Sequence, residues 1–171
     1  YSDLLSQRHK DRIDIFLGKE TDIMGVGYNL NQSMIAIGSG GLSGKGYLQG
    51  TQTKGRFVPR QHTDYIFSTI GEEWGFYGTS TIIILFATLI LRILFRAEQQ
   101  KNVFGRSYAY GTASLIFMHF FINVGMSIGL VPTIGIPLPF ISYGGSSMFT
   151  FTTLVFVYIN IDANRLNETR I

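Results

Sequence analysis

Asp64 closes the run Gln61-His62-Thr63-Asp64 and is the one acid from Gly38 up to Glu72. Four cations precede it, Lys45, Lys54, Arg56 and Arg60, in a stretch from Gly38 to Thr63 that also holds seven glycines. A carboxylate positioned by fixed structure is a usual acceptor for the proton of a weak hydroxyl nucleophile. With Thr63 as the N-cap of a following helix, Asp64 falls in the first turn, where the helix dipole favours the ionised form that a base needs. The plainer alternatives are a carboxylate that only stabilises the turn and a cationic loop that only lies against anionic headgroups.

Other polar residues stand where they are costly. Glu72 and Glu73 lie near the start of an apolar run, and carboxylates in a membrane are functional suspects by default. The structural alternative is a salt bridge to a basic residue on another span. On one helix Glu72 would share a side with Asp64 at about 12 Å of rise, too far to share a proton. His119 and Asn123, spaced i to i+4, project from one helix face, which suits interhelical hydrogen bonding. His62 could orient Asp64 or bind a substrate, although an exposed loop histidine more often does neither. Gly71-x-x-x-Gly75 and Gly125-x-x-x-Gly129 permit close packing. Ser39 to Gly46 looks like a phosphate loop, but a Walker motif requires Gly at position 39 and Ser or Thr at position 46, so no ATP site follows.

The elements that position these residues are helices in a bilayer. The 171 residues are 46% hydrophobic and 15% charged, with a formal charge of +3, against roughly 25% charged in a soluble domain. From Ser107 to Ile161 there is no Asp, Glu, Lys or Arg, and glycines and prolines from Gly125 to Pro139 interrupt the stretch. An all-α polytopic membrane fragment is expected, with three transmembrane helices preceded by a long extracytoplasmic loop that carries short amphipathic helices. The loop covers residues 1–63, with short helices at Asp11 to Leu17 and at Tyr28 to Ile37, the latter on Leu30, Met34 and Ile37. A membrane-edge helix and first span cover 64–96, a cytoplasmic loop 97–106, the second span 107–125, a Gly/Pro loop 126–145, the third span 146–161 and a cytoplasmic tail 162–171. Orientation follows from Arg92, Arg96, Lys101 and Arg106 in the first short connection, with no such residue in the Gly/Pro loop. With no cysteine, disulfides and thiolate metal sites are excluded. The chain has no initiator Met or signal peptide and reads as part of something longer.

Five ordered blocks resemble the SEDS (shape, elongation, division and sporulation) family, also called RodA/FtsW. They are Ile35 to Gly46 (Ile-Ala-Ile-Gly-Ser-Gly-Gly-Leu-Ser-Gly-Lys-Gly), Gly50-Thr-Gln, Gln61-His-Thr-Asp-Tyr-Ile-Phe-Ser68, Ile70-Gly-Glu-Glu-Trp-Gly-Phe76 and Pro137-Leu-Pro-Phe-Ile-Ser-Tyr-Gly-Gly-Ser-Ser147. The Ser-Gly-Gly-Leu-Ser-Gly-Lys-Gly wording is closer to the elongation branch than to the division branch. Where family members carry Pro-Glu, this chain has Pro59-Arg60, so any role of that acid is absent or replaced.

The resemblance implies a peptidoglycan glycosyltransferase of the bacterial inner membrane, acting on lipid II at the extracytoplasmic face. The 4-hydroxyl of one GlcNAc attacks the anomeric carbon of a MurNAc, undecaprenyl pyrophosphate leaves, and Asp64 is the general base. Lys45, Arg56, Gln61, His62 and Ser142 become substrate-binding candidates, with Glu72, Glu73, His119 and Asn123 in support. A divalent cation would also suit the leaving pyrophosphate, and no ligand set for one is identifiable. Expected partners are a class B penicillin-binding transpeptidase and the elongation machinery, with no nucleic acid. The Pro137 to Ser147 loop shapes the lipid-substrate groove or fastens neighbouring helices. The rival functions are a lipid II flippase and a non-catalytic scaffold for the transpeptidase. A flippase needs polar groups through the midplane, whereas the polar residues here gather at the outer edge. The fragment alone is expected to be inactive.

Overall fold

A computed structural model describes residues 26–55, 57 and 61–164. The expected helix at Asp11 to Leu17, Arg56, Arg60 and the end of the tail lie outside the described residues. Five helices follow one another: α1 (Val26–Ser39), α2 (Thr51–Lys54), α3 (Ile66–Glu98), α4 (Val103–Ser127) and α5 (Gly145–Asn164). No strand occurs among the described residues.

Two helices, α3 and α4, are long and apolar enough to cross a membrane. Their exposed large side chains, such as Ile84, Leu85 and Phe95 on α3 and Leu115 and Phe121 on α4, are those that lipid or a neighbouring span would cover. α5, which carries Thr150, Thr152, Thr153 and Asn160, is not one of these two.

α4 packs against both α3 and α5. Its contact stripe includes the small residues Gly105, Ala109, Thr112 and Ala113 beside the larger Ile116 and Phe120, so the neighbouring backbones approach closely. Phe86, Ile93 and Ala97 of α3 meet this stripe from one side, and Phe151 and Tyr158 of α5 from the other. Phe86 stacks on Phe120 of α4 with ring centroids 4.7 Å apart. The side chain of Asn102 caps α4 by accepting from the Phe104 N–H at 3.0 Å.

The first long helix is not continuous. Gly75 has φ 62° and ψ −154°, a conformation essentially restricted to glycine, and it breaks the helix between Trp74 and Phe76. The glycine-rich loop at residues 40–46 fills the break. Lys45 and Gly46 N–H donate to the carbonyls of Glu72 and Glu73, while Phe76 and Tyr77 N–H donate to those of Gly41 and Leu42, all at 2.9 to 3.2 Å. Backbone groups orphaned by the break are satisfied by another segment. This part of the long cationic loop is therefore a packed structural element.

Two further expectations are corrected. The buried side of α1 is formed by Ser33 and Ala36, with Met34 exposed and Leu30 and Ile37 only half-buried. Ser33 donates its hydroxyl to the Ser127 carbonyl at 2.9 Å, so a small polar residue seats α1 on α4. α3 begins at Ile66 with Tyr65 at its N-cap position, so Thr63 is not the cap and Asp64 lies outside the first turn. The Asp64-to-Glu72 spacing expected on one helix does not apply.

Candidate active site

Four consecutive main-chain carbonyls around Asp64 are each held by a different donor. Tyr143 N–H donates to His62 O at 2.8 Å. Ser142 Oγ donates to Thr63 O at 2.6 Å, and Asn123 Nδ2 to Asp64 O at 2.8 Å. Ser68 Oγ donates to Tyr65 O at 2.7 Å. The chain cannot enter α3 earlier, because the carbonyls that an earlier helical turn would use are engaged by α4 and the Gly/Pro loop.

The same donors fix the Gly/Pro loop. Asn123 Nδ2 also donates to Ile136 O at 2.7 Å, and Ser142 Oγ accepts from Leu138 N–H at 2.8 Å. One turn earlier on α4, His119 Nδ1 lies 3.5 Å from Pro137 O, and its ring meets Phe151 edge-on. His119 and Asn123 thus share one face, as their spacing requires, and their polar atoms meet loop carbonyls, not another helix. Leu138 and Ser142 are buried beneath.

The half-buried Asp64 side chain rests against Gly135. That glycine has φ 80°, and a Cβ built on it would lie 3.1 Å from Asp64 Oδ2. Gln61, nearly buried, donates through Nε2 to Thr53 O at 3.2 Å, and the same nitrogen lies 3.3 Å from His62 Nε2. His62 is exposed and borders a groove of about 570 Å³ whose walls include Ile66, Phe140, Ser142, Tyr143 and Met148. Asp64 stands beside this groove, two residues along from His62, without lining it.

Glu72 and Lys45 are occupied with each other. Glu72, fully buried, has Oε1 2.9 Å from Lys45 Nζ, and the two carboxylate oxygens accept the N–H groups of Gln52 and Thr53, each at 2.9 Å. A buried carboxylate thus caps the short α2 while it pairs with Lys45. The salt bridge anticipated for Glu72 exists, but its partner is the glycine-rich loop in place of another span. Lys45, a substrate-binding candidate, thus pairs with Glu72 and also donates to Thr51 Oγ1 at 2.8 Å. Glu73 is 9% exposed, and its carbonyl holds Gly46. Arg56 lies outside the described residues. Among the described residues no three His, Asp or Glu side chains gather in a cluster that could hold a metal ion.

Sequence reasoning gave Tyr143 and Gly135 no individual role and read Gly75 only as part of a close-packing motif. The first acts through its backbone, and the other two act by their conformation, so only the glycine identity signalled them. A third use of glycine, Gly71, follows expectation: a Cβ there would sit 3.0 Å from Ile37, so it admits α1.

A sequence model of FtsW/RodA/SpoVE, described as cell cycle protein, matches residues 2–167. The chain is 40% identical over 162 residues to peptidoglycan glycosyltransferase MrdB of Escherichia coli K12, covering 95% of this chain and 44% of that protein. It is 43% identical over 155 residues to peptidoglycan glycosyltransferase RodA of Treponema pallidum, covering 91% and 36%. Over 152 residues it is 42% identical to the probable peptidoglycan glycosyltransferase FtsW of Trichlorobacter lovleyi, covering 89% and 40%. It therefore spans less than half the length of these relatives. Among solved structures, the fold matches a chain described under "Structural coordination of polymerization and crosslinking by a peptidoglycan synthase complex", with TM-score 0.76, 25% identity, and 94% of this chain and 43% of that one covered. It also matches a variant of the rod shape determining protein RodA from Thermus thermophilus, with TM-score 0.60, 28% identity, and 78% and 40% covered. The chain belongs to the FtsW/RodA/SpoVE family of cell cycle proteins, the family that its motifs resemble.

Proposed function

We propose that this chain forms the carboxylate-bearing part of a peptidoglycan glycosyltransferase that polymerises lipid II at the extracytoplasmic face of the bacterial inner membrane, with Asp64 as general base. The acceptor 4-hydroxyl attacks the anomeric carbon of the donor sugar. Its proton passes to the Asp64 carboxylate as the bond to the pyrophosphate oxygen breaks, and undecaprenyl pyrophosphate leaves with the bonding pair. The observation that carries this reading is the locking of the carbonyls of residues 62–65, which removes backbone freedom from the one segment bearing the carboxylate. A base that is held before the substrate arrives needs no reorganisation during reaction. The adjoining groove is mostly apolar, with His62 and Ser142 at its polar edge, which suits a lipid-linked sugar. In this reading α5 is a third span, and Lys45 supports the site by neutralising Glu72. The likeness to a chain of a peptidoglycan synthase complex supports a class B penicillin-binding transpeptidase as partner.

The test is polymerisation of labelled lipid II by the full-length protein carrying Asp64→Asn, an isosteric change that removes the base. Activity should fall by about 10²–10⁴-fold with the fold and partner binding retained. Full polymerisation by Asp64→Asn would remove the residue from the mechanism, and lipid II translocation without polymer would favour a flippase.

A further inference from the structure

Toward the far end of α3 from Asp64, α3 and α5 are each packed on α4, and residues of both line a cavity of about 380 Å³. Its floor is apolar, made by Leu89, Ile93, Val155 and Ile159, and its mouth carries Arg92, Arg96 and Asp162. Asp162 is engaged from two sides, by Arg96 Nε at 3.4 Å and by Gln100 Nε2 at 2.9 Å. Arg92, exposed and one turn before Arg96, makes no ion pair or hydrogen bond among the described residues. The mouth thus keeps one guanidinium in excess over its one carboxylate.

We infer that this cavity binds the headgroup of an anionic phospholipid, with Arg92 on the phosphate and the first methylenes of an acyl chain over the Leu89 and Val155 floor. The inference rests on the reading of α3 and α5 as spans. Three observations converge on an amphiphile and not on a free anion. The cavity pairs apolar lining residues with charged ones, it lies between two helices read as spans, and the excess charge of Arg92 sits near the end of the first of them. A planar guanidinium offers paired N–H donors to phosphate oxygens, and basic pockets between transmembrane helices are suited to anionic headgroups. Asp162 then serves to hold Arg96 at the rim, while Arg92 supplies the charge that prefers a net anionic lipid to a zwitterionic one.

The full-length protein in detergent should be stabilised against heat by phosphatidylglycerol, and not by phosphatidylcholine or by inorganic phosphate. Arg92→Gln, which breaks no contact among the described residues, should abolish the phosphatidylglycerol-specific shift and leave polymerisation in phosphatidylcholine unchanged. Leu89→Trp, which fills the apolar floor without touching charge, should abolish it as well. A phosphatidylglycerol shift that survives either substitution, or an equal shift with inorganic phosphate, would overturn the assignment. Failure of the span reading is a separate result, since the protein would then leave membranes in alkaline carbonate, whereas failure of the lipid site leaves a membrane-integral protein without headgroup preference.

Discussion

Asn123 Nδ2 lies 2.8 Å from the main-chain carbonyl of Asp64, a contact across 59 positions that ties the middle of α4 to the segment carrying the carboxylate. The same nitrogen holds Ile136, so one side-chain amide sets residues 62–65, a strap ahead of α3, against the Gly/Pro loop.

Asn123→Leu should therefore act on catalysis more than on substrate binding. Both amide hydrogens are lost and two carbonyls lose their donor, each costing about 1–3 kcal/mol. If the strap relaxes by about 1 Å, kcat should fall on the order of 10²-fold with KM little changed. Ser142→Ala removes the adjacent donor, and a double-mutant cycle of the two should show coupling of about 0.5–3 kcal/mol in thermal or chemical unfolding. Strict additivity would mean that the two donors do not hold one unit.

Gly135→Ala should impair activity while the protein still assembles. The new methyl would lie 3.1 Å from Asp64 Oδ2 at a backbone φ of 80°, which a side chain adopts at a cost of about 1–3 kcal/mol. Polymerisation should drop by roughly 10–100-fold. Gly38→Ala is the control: its Cβ meets nothing within 4 Å on a helix, so activity should be kept and stability gain up to about 1 kcal/mol.

Lys45 and Glu72 should behave as a pair. Lys45→Met leaves a buried carboxylate without its cation, a loss of about 3–5 kcal/mol, read as a lowered unfolding midpoint in detergent. Adding Glu72→Gln to Lys45→Met should recover part of that loss, because the neutral amide no longer needs the ammonium. A double variant no more stable than Lys45→Met would argue that the ion pair is incidental.

Gly75→Ala should be among the most damaging changes in the chain. Its Cβ would sit 2.3 Å from Gly44 N and 2.8 Å from the Leu42 carbonyl, main-chain atoms that cannot swing aside, and its φ and ψ belong to glycine. A large loss of membrane-inserted, folded protein is expected, measured by monodispersity after extraction. Unaltered yield would show that the loop and the break are not interlocked.

The helical class and the two long apolar helices were legible because long uncharged runs admit few other solutions. Asp64 could be singled out because it is the lone acid of a cationic stretch. Its true setting could not, since the donors that hold residues 62–65 come mostly from positions 123, 142 and 143, and long-range pairing leaves no local spacing to read. Thr63 looked like a helix cap by propensity, and tertiary hydrogen bonds overrode that preference. Lys45 looked free for phosphate because its partner is 27 residues away. The break at Gly75 reads as close packing, because a glycine in a small-xxx-small spacing gives no local sign of the backbone conformation it adopts.

That interruption at Gly75 divides the labour of the longest helix. The stretch from Ile66 to Trp74 and the stretch from Phe76 onward are joined by one covalent link and by four cross-bonds through the 40–46 loop, so the tilt of the lipid-facing rod relative to the Asp64 platform is governed by that loop. A sideways pull on the rod is thereby expected to bend at one glycine before it strains the carboxylate.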